Sequence, residues 1–212
     1  MRSIGLVGCL IGLVIVLLIF GGWYIGTRNH LVSLDEAVNA QWGQVQNDYQ
    51  RRYDLIPNLV NTVKGYAAHE RETFEAVTQA RARVGQVAVQ PGPPGSATDI
   101  TSNPQAMAQY DQAQAGLSNA LSRLLVVVER YPELKANQNF LELQSQLEGT
   151  ENRIAVERKR YNDVARDYNT AIRQFPGSLA ASMGGFKPKA YFQVTNPAAN
   201  EAPKVDFGTT AK

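Results

Sequence analysis

Five charged residues stand where a helical chain normally puts apolar ones. Arg52, Glu70, Arg81, Glu151 and Arg158 fall at or beside the inward positions of seven-residue helical patterns. A buried charge must be paired, or it costs several kcal/mol. Two chemistries meet that demand. The charges form interhelical ion pairs that fix register, or they line a polar pocket that takes a ligand. Asp54 lies three residues before Pro57 and reads as a cap for free amides at a helix start. Asn162 and Asn169 are seven residues apart, beside Tyr161 and Tyr168. They read as a polar ladder inside a helical bundle, with a ladder across a subunit interface as the alternative. Glu148 and Glu151 could be taken for a general acid/base pair. Three residues apart on one helix, they fit a solvated face or a salt-bridge ladder better.

Nothing else in the chain resembles catalytic machinery. His30 and His69 are the only histidines. The run His69-Glu70-Arg71-Glu72-Thr73 lacks the second histidine of a zinc-binding helix. There is no nucleophile elbow, phosphate loop or dinucleotide fingerprint. The single cysteine, Cys9, lies inside an apolar run, so no disulfide framework forms within one chain. The expectation is a non-enzyme with no cofactor, no metal and no catalytic residue.

These residues need helices to hold them. Residues 137–175 carry a seam at Phe140, Leu147, Ile154, Tyr161, Ala165, Tyr168 and Ile172, with Glu151 and Arg158 in register and Phe175 at its end. The seam's three-four spacing keeps one face of a helix roughly 55 Å long toward a partner. Residues 31–53 repeat the pattern at Leu31, Leu34, Val38, Trp42, Val45, Tyr49 and Arg52. Pro57 fits a first turn better than a helix interior. A tight reversal at 54–57 and a second helix over 55–87 are therefore expected, with a kinked continuous helix as the alternative. Four prolines and two glycines make 88–104 a loop. A third helix spans about 104–131 behind Asn103, and Asn137 or Asn139 caps the fourth. The fold class is all-α: an N-terminal transmembrane helix and an antiparallel up-and-down four-helix bundle over 31–176. In that topology residue 175 returns to the bilayer surface. The segment 177–194 then lies against the membrane or caps the bundle end, and 195–212 forms a disordered tail.

Residues 4–27 contain no Lys, Arg, Asp or Glu, enough to cross about 30 Å of hydrocarbon. Trp23 and Tyr24 suit the interface. A signal peptide has a shorter apolar core, and the lipobox-like Leu6-Val7-Gly8-Cys9 comes too early in the run. The reading is an uncleaved single-span anchor over 1–30 in the cell (inner) membrane. The positive-inside count leans weakly toward a cytoplasmic body. Lys plus Arg number 21 against 19 Asp plus Glu, which argues against a nucleic-acid binder.

Longer runs carry a family resemblance. Arg51-Arg52-Tyr53-Asp54-Leu55-Ile56-Pro57-Asn58-Leu59-Val60 and Thr62-Val63-Lys64-Gly65-Tyr66-Ala67-Ala68-His69-Glu70 resemble the signature of the LemA family of bacterial membrane proteins. Ala136-Asn137-Gln138-Asn139-Phe140, Leu147-Glu148-Gly149-Thr150-Glu151-Asn152 and Phe175-Pro176 agree. The resemblance implies one N-terminal span and an antiparallel bundle, with no established enzymatic activity. It implies a membrane-anchored scaffold or interaction protein of the envelope and, as partners by gene association, a membrane metalloprotease or TPM-domain protein. The inward charges themselves leave a ligand- or peptide-binding sensor as the alternative, and the anchored bundle makes the lipid bilayer and further copies of the chain expected partners.

Overall fold

The computed structural model describes residues 2–88 and 100–193, with side chains from Leu10 onward and Ala88 excepted. The loop expected over 88–104 lies mostly outside these residues, as does the tail expected over 195–212. The described part is helical. α1 spans Arg2–Tyr66, α2 Arg71–Ala88, α3 Pro104–Val128, α4 Pro132–Lys135, α5 Gln138–Arg173 and α6 Gly177–Gly184. A 3-10 turn at Ile100–Ser102 precedes α3.

α1 overturns the expected reversal at 54–57. Its 65 residues run unbroken through Pro57, a rod about 97 Å long. The apolar stripe explains why. Beyond Tyr49 and Arg52 it continues at the same spacing through Ile56, Leu59 and Val63, all buried. Breaking the helix at Pro57 would turn that stripe away from α5, its most extensive partner. The proline has no N–H for the carbonyl of Tyr53. Arg81 of α2 supplies the missing donor, its Nε lying 3.4 Å from Tyr53 O. Asp54 is thus mid-helix and exposed, and accepts from Gln50 Nε2 at 2.8 Å. The reversal comes later, over Ala67–Glu70.

Elsewhere local signals act as the residue types suggest. Asn103 Oδ1 accepts from the amides of Gln105 and Ala106, with Pro104 in the first turn of α3. Asn137 Oδ1 caps α5 through the amide of Phe140. α5 ends at Arg173 with Gln174 as its C-cap, so Phe175 falls outside the helix and is 83% exposed, not a core residue.

α1, α2, α3 and α5 alternate in direction, and their apolar faces form two clusters. The distal one holds Ile56, Leu59, Val63, Val77, Leu117, Leu121, Leu124 and Leu147, with Phe74 and Phe140. The proximal one, toward the apolar end of α1, is aromatic. Trp42 packs against Tyr110, Tyr161 and Phe192 with ring centroids 5.6–5.8 Å apart. Phe192 is not on a helix. After α6 the chain climbs back along α5 as an extended segment over 186–193 and fills the proximal core.

From Leu10 to Tyr66 α1 meets the length and composition needed to cross a membrane, and its apolar stretch is not buried by any of the described residues.

Candidate functional site

The two clusters meet at a polar layer. Arg52, on α1, is 1% exposed. Its Nη1 donates to Ser118 Oγ and to Glu151 Oε1, each at 2.8 Å, and its Nη2 donates to Gln114 Oε1. Its guanidinium lies 5.1 Å from the centroid of the Tyr49 ring. One turn lower, Arg158 Nη2 of α5 sits 2.9 Å from Asp111 Oδ1 of α3. Asp111 is 8% exposed by its side chain, and burial raises its carboxyl pKa while the charge of Arg158 opposes the rise. Two arginines and two carboxylates thus cancel in charge. Sequence spacing indicates Arg52, Glu151 and Arg158, and the structure brings these three to one layer. Spacing indicates Gln114 too, on the α3 seam Met107, Tyr110, Gln114 and Leu117; it does not indicate Asp111, which lies beside that seam and is buried only by tertiary packing.

A cleft of about 410 Å³ opens beside the layer, walled by Tyr49, Arg52, Gln114, Glu151 and Arg158. Glu151 forms its accessible side, 37% exposed. Among the described residues, Arg52 Nε and the Tyr49 hydroxyl are buried without an aligned hydrogen-bond partner. Burial also holds the Tyr49 phenol protonated, its pKa raised against the pull of Arg158 and Arg52. The layer offers donors and a carboxylate, with no nucleophile beside a base.

The remaining candidate residues do other work. Arg81 forms no ion pair among the described residues. It stacks 3.7 Å from the Tyr53 ring centroid and serves the carbonyl left open by Pro57. Glu70 is in the distal turn and not on a helix seam. It binds Arg130 at 3.2 Å and the Tyr131 hydroxyl at 3.3 Å, tying the two distal turns together. Glu148 is exposed and pairs with Gln144.

Asn162 and Asn169 form no interhelical ladder. Each grips the backbone of the extended segment with both ends of its amide. Asn169 donates to Lys189 O and accepts from Lys189 N, both at 2.8 Å. Asn162 does the same with Phe192, at 3.0 and 2.9 Å. The neighbouring hydroxyls join them, Tyr168 to Lys187 O and Tyr161 to Ala190 O, each at 3.0 Å. Seven-residue spacing puts both Asn–Tyr pairs on one face of α5, where an extended chain can run past them. Lys189, 7% exposed, meets Asp35 of α1 at 2.8 Å. No helical periodicity could signal Lys189, since its segment is not helical.

His30 is exposed on α1, and His69 lies beyond its far end, some 54 Å of helix away. Among the described residues no group of three or more His, Cys, Asp or Glu is placed to hold a metal.

Residues 41–207 match the LemA family. This span contains the polar layer and both asparagine grips. The chain is 31% identical over 175 residues to magnetosome proteins MamQ 1 and MamQ 2 of Paramagnetospirillum magneticum, covering 78% of this chain and 64% of theirs. It is 30% identical over 174 residues to MamQ of Magnetospirillum gryphiswaldense, covering 77% of this chain and 64% of that one. It is 25% identical over 187 residues to protein LemA of Metamycoplasma hominis, covering 88% of this chain and 76% of that one. The chain thus spans just under two thirds of the length of the MamQ proteins.

Proposed function

The chain belongs to the LemA family, and on that footing we propose that it is a single-pass scaffold of the bacterial cell membrane. Its bundle recruits or organises partners at the membrane surface and catalyses no reaction. One observation carries this reading. A single helix joins an unburied apolar stretch to the bundle core with no joint between them. Leu31, only a few residues past that stretch, is already 1% exposed in the proximal core. Such a rod transmits the orientation of its span directly to the bundle. The same continuity supports an uncleaved anchor, since a cut within the helix would leave its packed part without its start. The weak charge asymmetry supports a cytoplasmic body. The expected companions are further copies of this chain, or a membrane metalloprotease or TPM-domain protein. The test is chemical crosslinking in intact membranes, affinity capture of the full chain and sizing in detergent. Discrete products support the scaffold; a lone monomer with no captured protein removes it.

A ligand- or peptide-binding sensor is the second reading, and the cleft beside Arg52 favours it. Two buried polar atoms there lack aligned partners. Small carboxylates and inorganic phosphate screened by thermal shift would raise Tm in the full chain and not in Arg52→Met. No shift with any probe removes this reading.

A further inference from the structure

α6 is the lowest part of the bundle. α5 descends toward the span of α1 and stops at Arg173. The chain then forms α6 and climbs again, with Lys187 at Tyr168 and Phe192 at Asn162. The buried face of α6 is made of small residues, Gly177, Ala180 and Ala181. Gly177 permits a close approach: a Cβ there would lie 2.1 Å from Ala171 O and 3.9 Å from Leu31 Cδ2. Ala180, Ala181 and Leu31 share one cluster, and Tyr24 packs against it. Tyr24 belongs to the charge-free stretch of α1. Leu31 is seven residues above it, about 10 Å along the helix. α6 therefore sits where α1 leaves the apolar stretch.

Among the described residues nothing covers its other face. Phe175, Leu179 and Met183 follow one another at four-residue steps and are 83%, 40% and 58% exposed. Toward the span, the apolar side chains of α1 are unburied as well (Ile25 59%, Leu18 70%). The charges are one-sided as well. Residues 168–193 contain Arg173, Lys187 and Lys189 and no acidic residue. Lys189 is neutralised by Asp35, which leaves Arg173 and Lys187 exposed, with Arg28 of α1.

We infer that α6 lies in the headgroup layer of the bilayer that α1 crosses. Phe175, Leu179 and Met183 dip into the acyl boundary, and Arg28, Arg173 and Lys187 meet anionic lipid phosphates. The inference rests on the anchor reading of α1. Lipid is the occupant because the face lies where α1 leaves its apolar stretch, and the exposed charges Arg28, Arg173 and Lys187 are basic. A second contact would fix the tilt of the rod above the membrane, which one helix alone leaves to the lipid.

The test uses the full chain carrying Cys9→Ser, in nanodiscs of mixed zwitterionic and anionic phospholipid. Single cysteines at Met183, and separately at Leu179, carry an environment-sensitive fluorophore. Val14→Cys in the span and Val126→Cys on the distal half serve as references. Lipids brominated high in the acyl chain should quench the Met183 and Leu179 labels at least about twofold, as for an interfacial helix. The Val126 label should be unchanged. Labels at 179 and 183 that ignore the brominated lipid while Val14 responds would overturn the inference and leave the anchor standing. If Val14 also escapes quenching, anchor and inference both fall. Crosslinking of Met183→Cys to a second copy in the same discs would overturn it in favour of a contact between chains.

Discussion

Above Arg52 the bundle packs mostly Leu, Val and Ile between four helices. Below it, Trp42, Tyr110, Tyr161 and Phe192 pack between three helices and an extended segment. The distal half is closed by the short turns at 67–70 and 129–137, and its stability is that of an ordinary helical core. The proximal half is closed from far away: residues 186–193 come back after α6 to fill it. Its apolar content alone cannot hold an extended strand beside helices, because the strand's backbone groups would be buried unpaired. The Asn–Tyr pairs of α5 answer that need with six bonds to the segment's main chain. One half is thus specified by side-chain pattern, the other by a few polar groups placed on that pattern.

Matched core deletions give the largest effects and separate the halves. Trp42→Ala should cost about 3–5 kcal/mol and Leu124→Ala about 2–5 kcal/mol in Tm-based stability. Only Trp42→Ala should also raise amide exchange at 187–192. Equal exchange in the two variants would erase the distinction.

The layer between the halves comes next. Arg158→Met leaves Asp111 buried without its cation and should cost on the order of 2–3 kcal/mol, measured by denaturant unfolding at neutral pH. Its pH dependence has a definite sign. The folded-state pKa of Asp111 is raised above the ordinary 3.8. The native state therefore binds this proton more readily than the unfolded chain, and the group's contribution improves as pH falls through the folded pKa toward that ordinary value. Stability relative to Asp111→Asn should thus be greater in acid than at neutrality. Arg158→Met, lacking the opposing charge, should enlarge that difference.

Asn169→Ala strips Lys189 N and O of their partners and should cost about 1–2 kcal/mol. Hydrogen exchange should show the loss confined to the proximal half; uniform loss across both halves would contradict the grip. Asp54→Ala is expected to be the mildest change, within about 0.5 kcal/mol, since the side chain is exposed in mid-helix. A loss near 1 kcal/mol, the usual worth of an N-cap, would restore a helix start at 54.

The legible part of this protein is the part set by local chemistry. The stripes of α1 and α5, the caps at Asn103 and Asn137 and the apolar stretch depend on spacing and residue type within a few turns. So does the placing of Arg52, Glu151 and Arg158 on inward faces. Asn162 and Asn169 also stood out, by their type and seven-residue interval, although what they hold lies outside any helical pattern. Only the tertiary structure decided where α1 stops. Pro57 looks like a break until Arg81, 28 residues past Tyr53, serves the carbonyl that the proline leaves open. Only the tertiary structure assigned Asp111 to Arg158, and Lys189 to Asp35. The physical reason is the same throughout. A residue's own turn of helix fixes which way it faces, but the partner that satisfies a buried polar group is brought by packing and leaves no mark on neighbouring sequence.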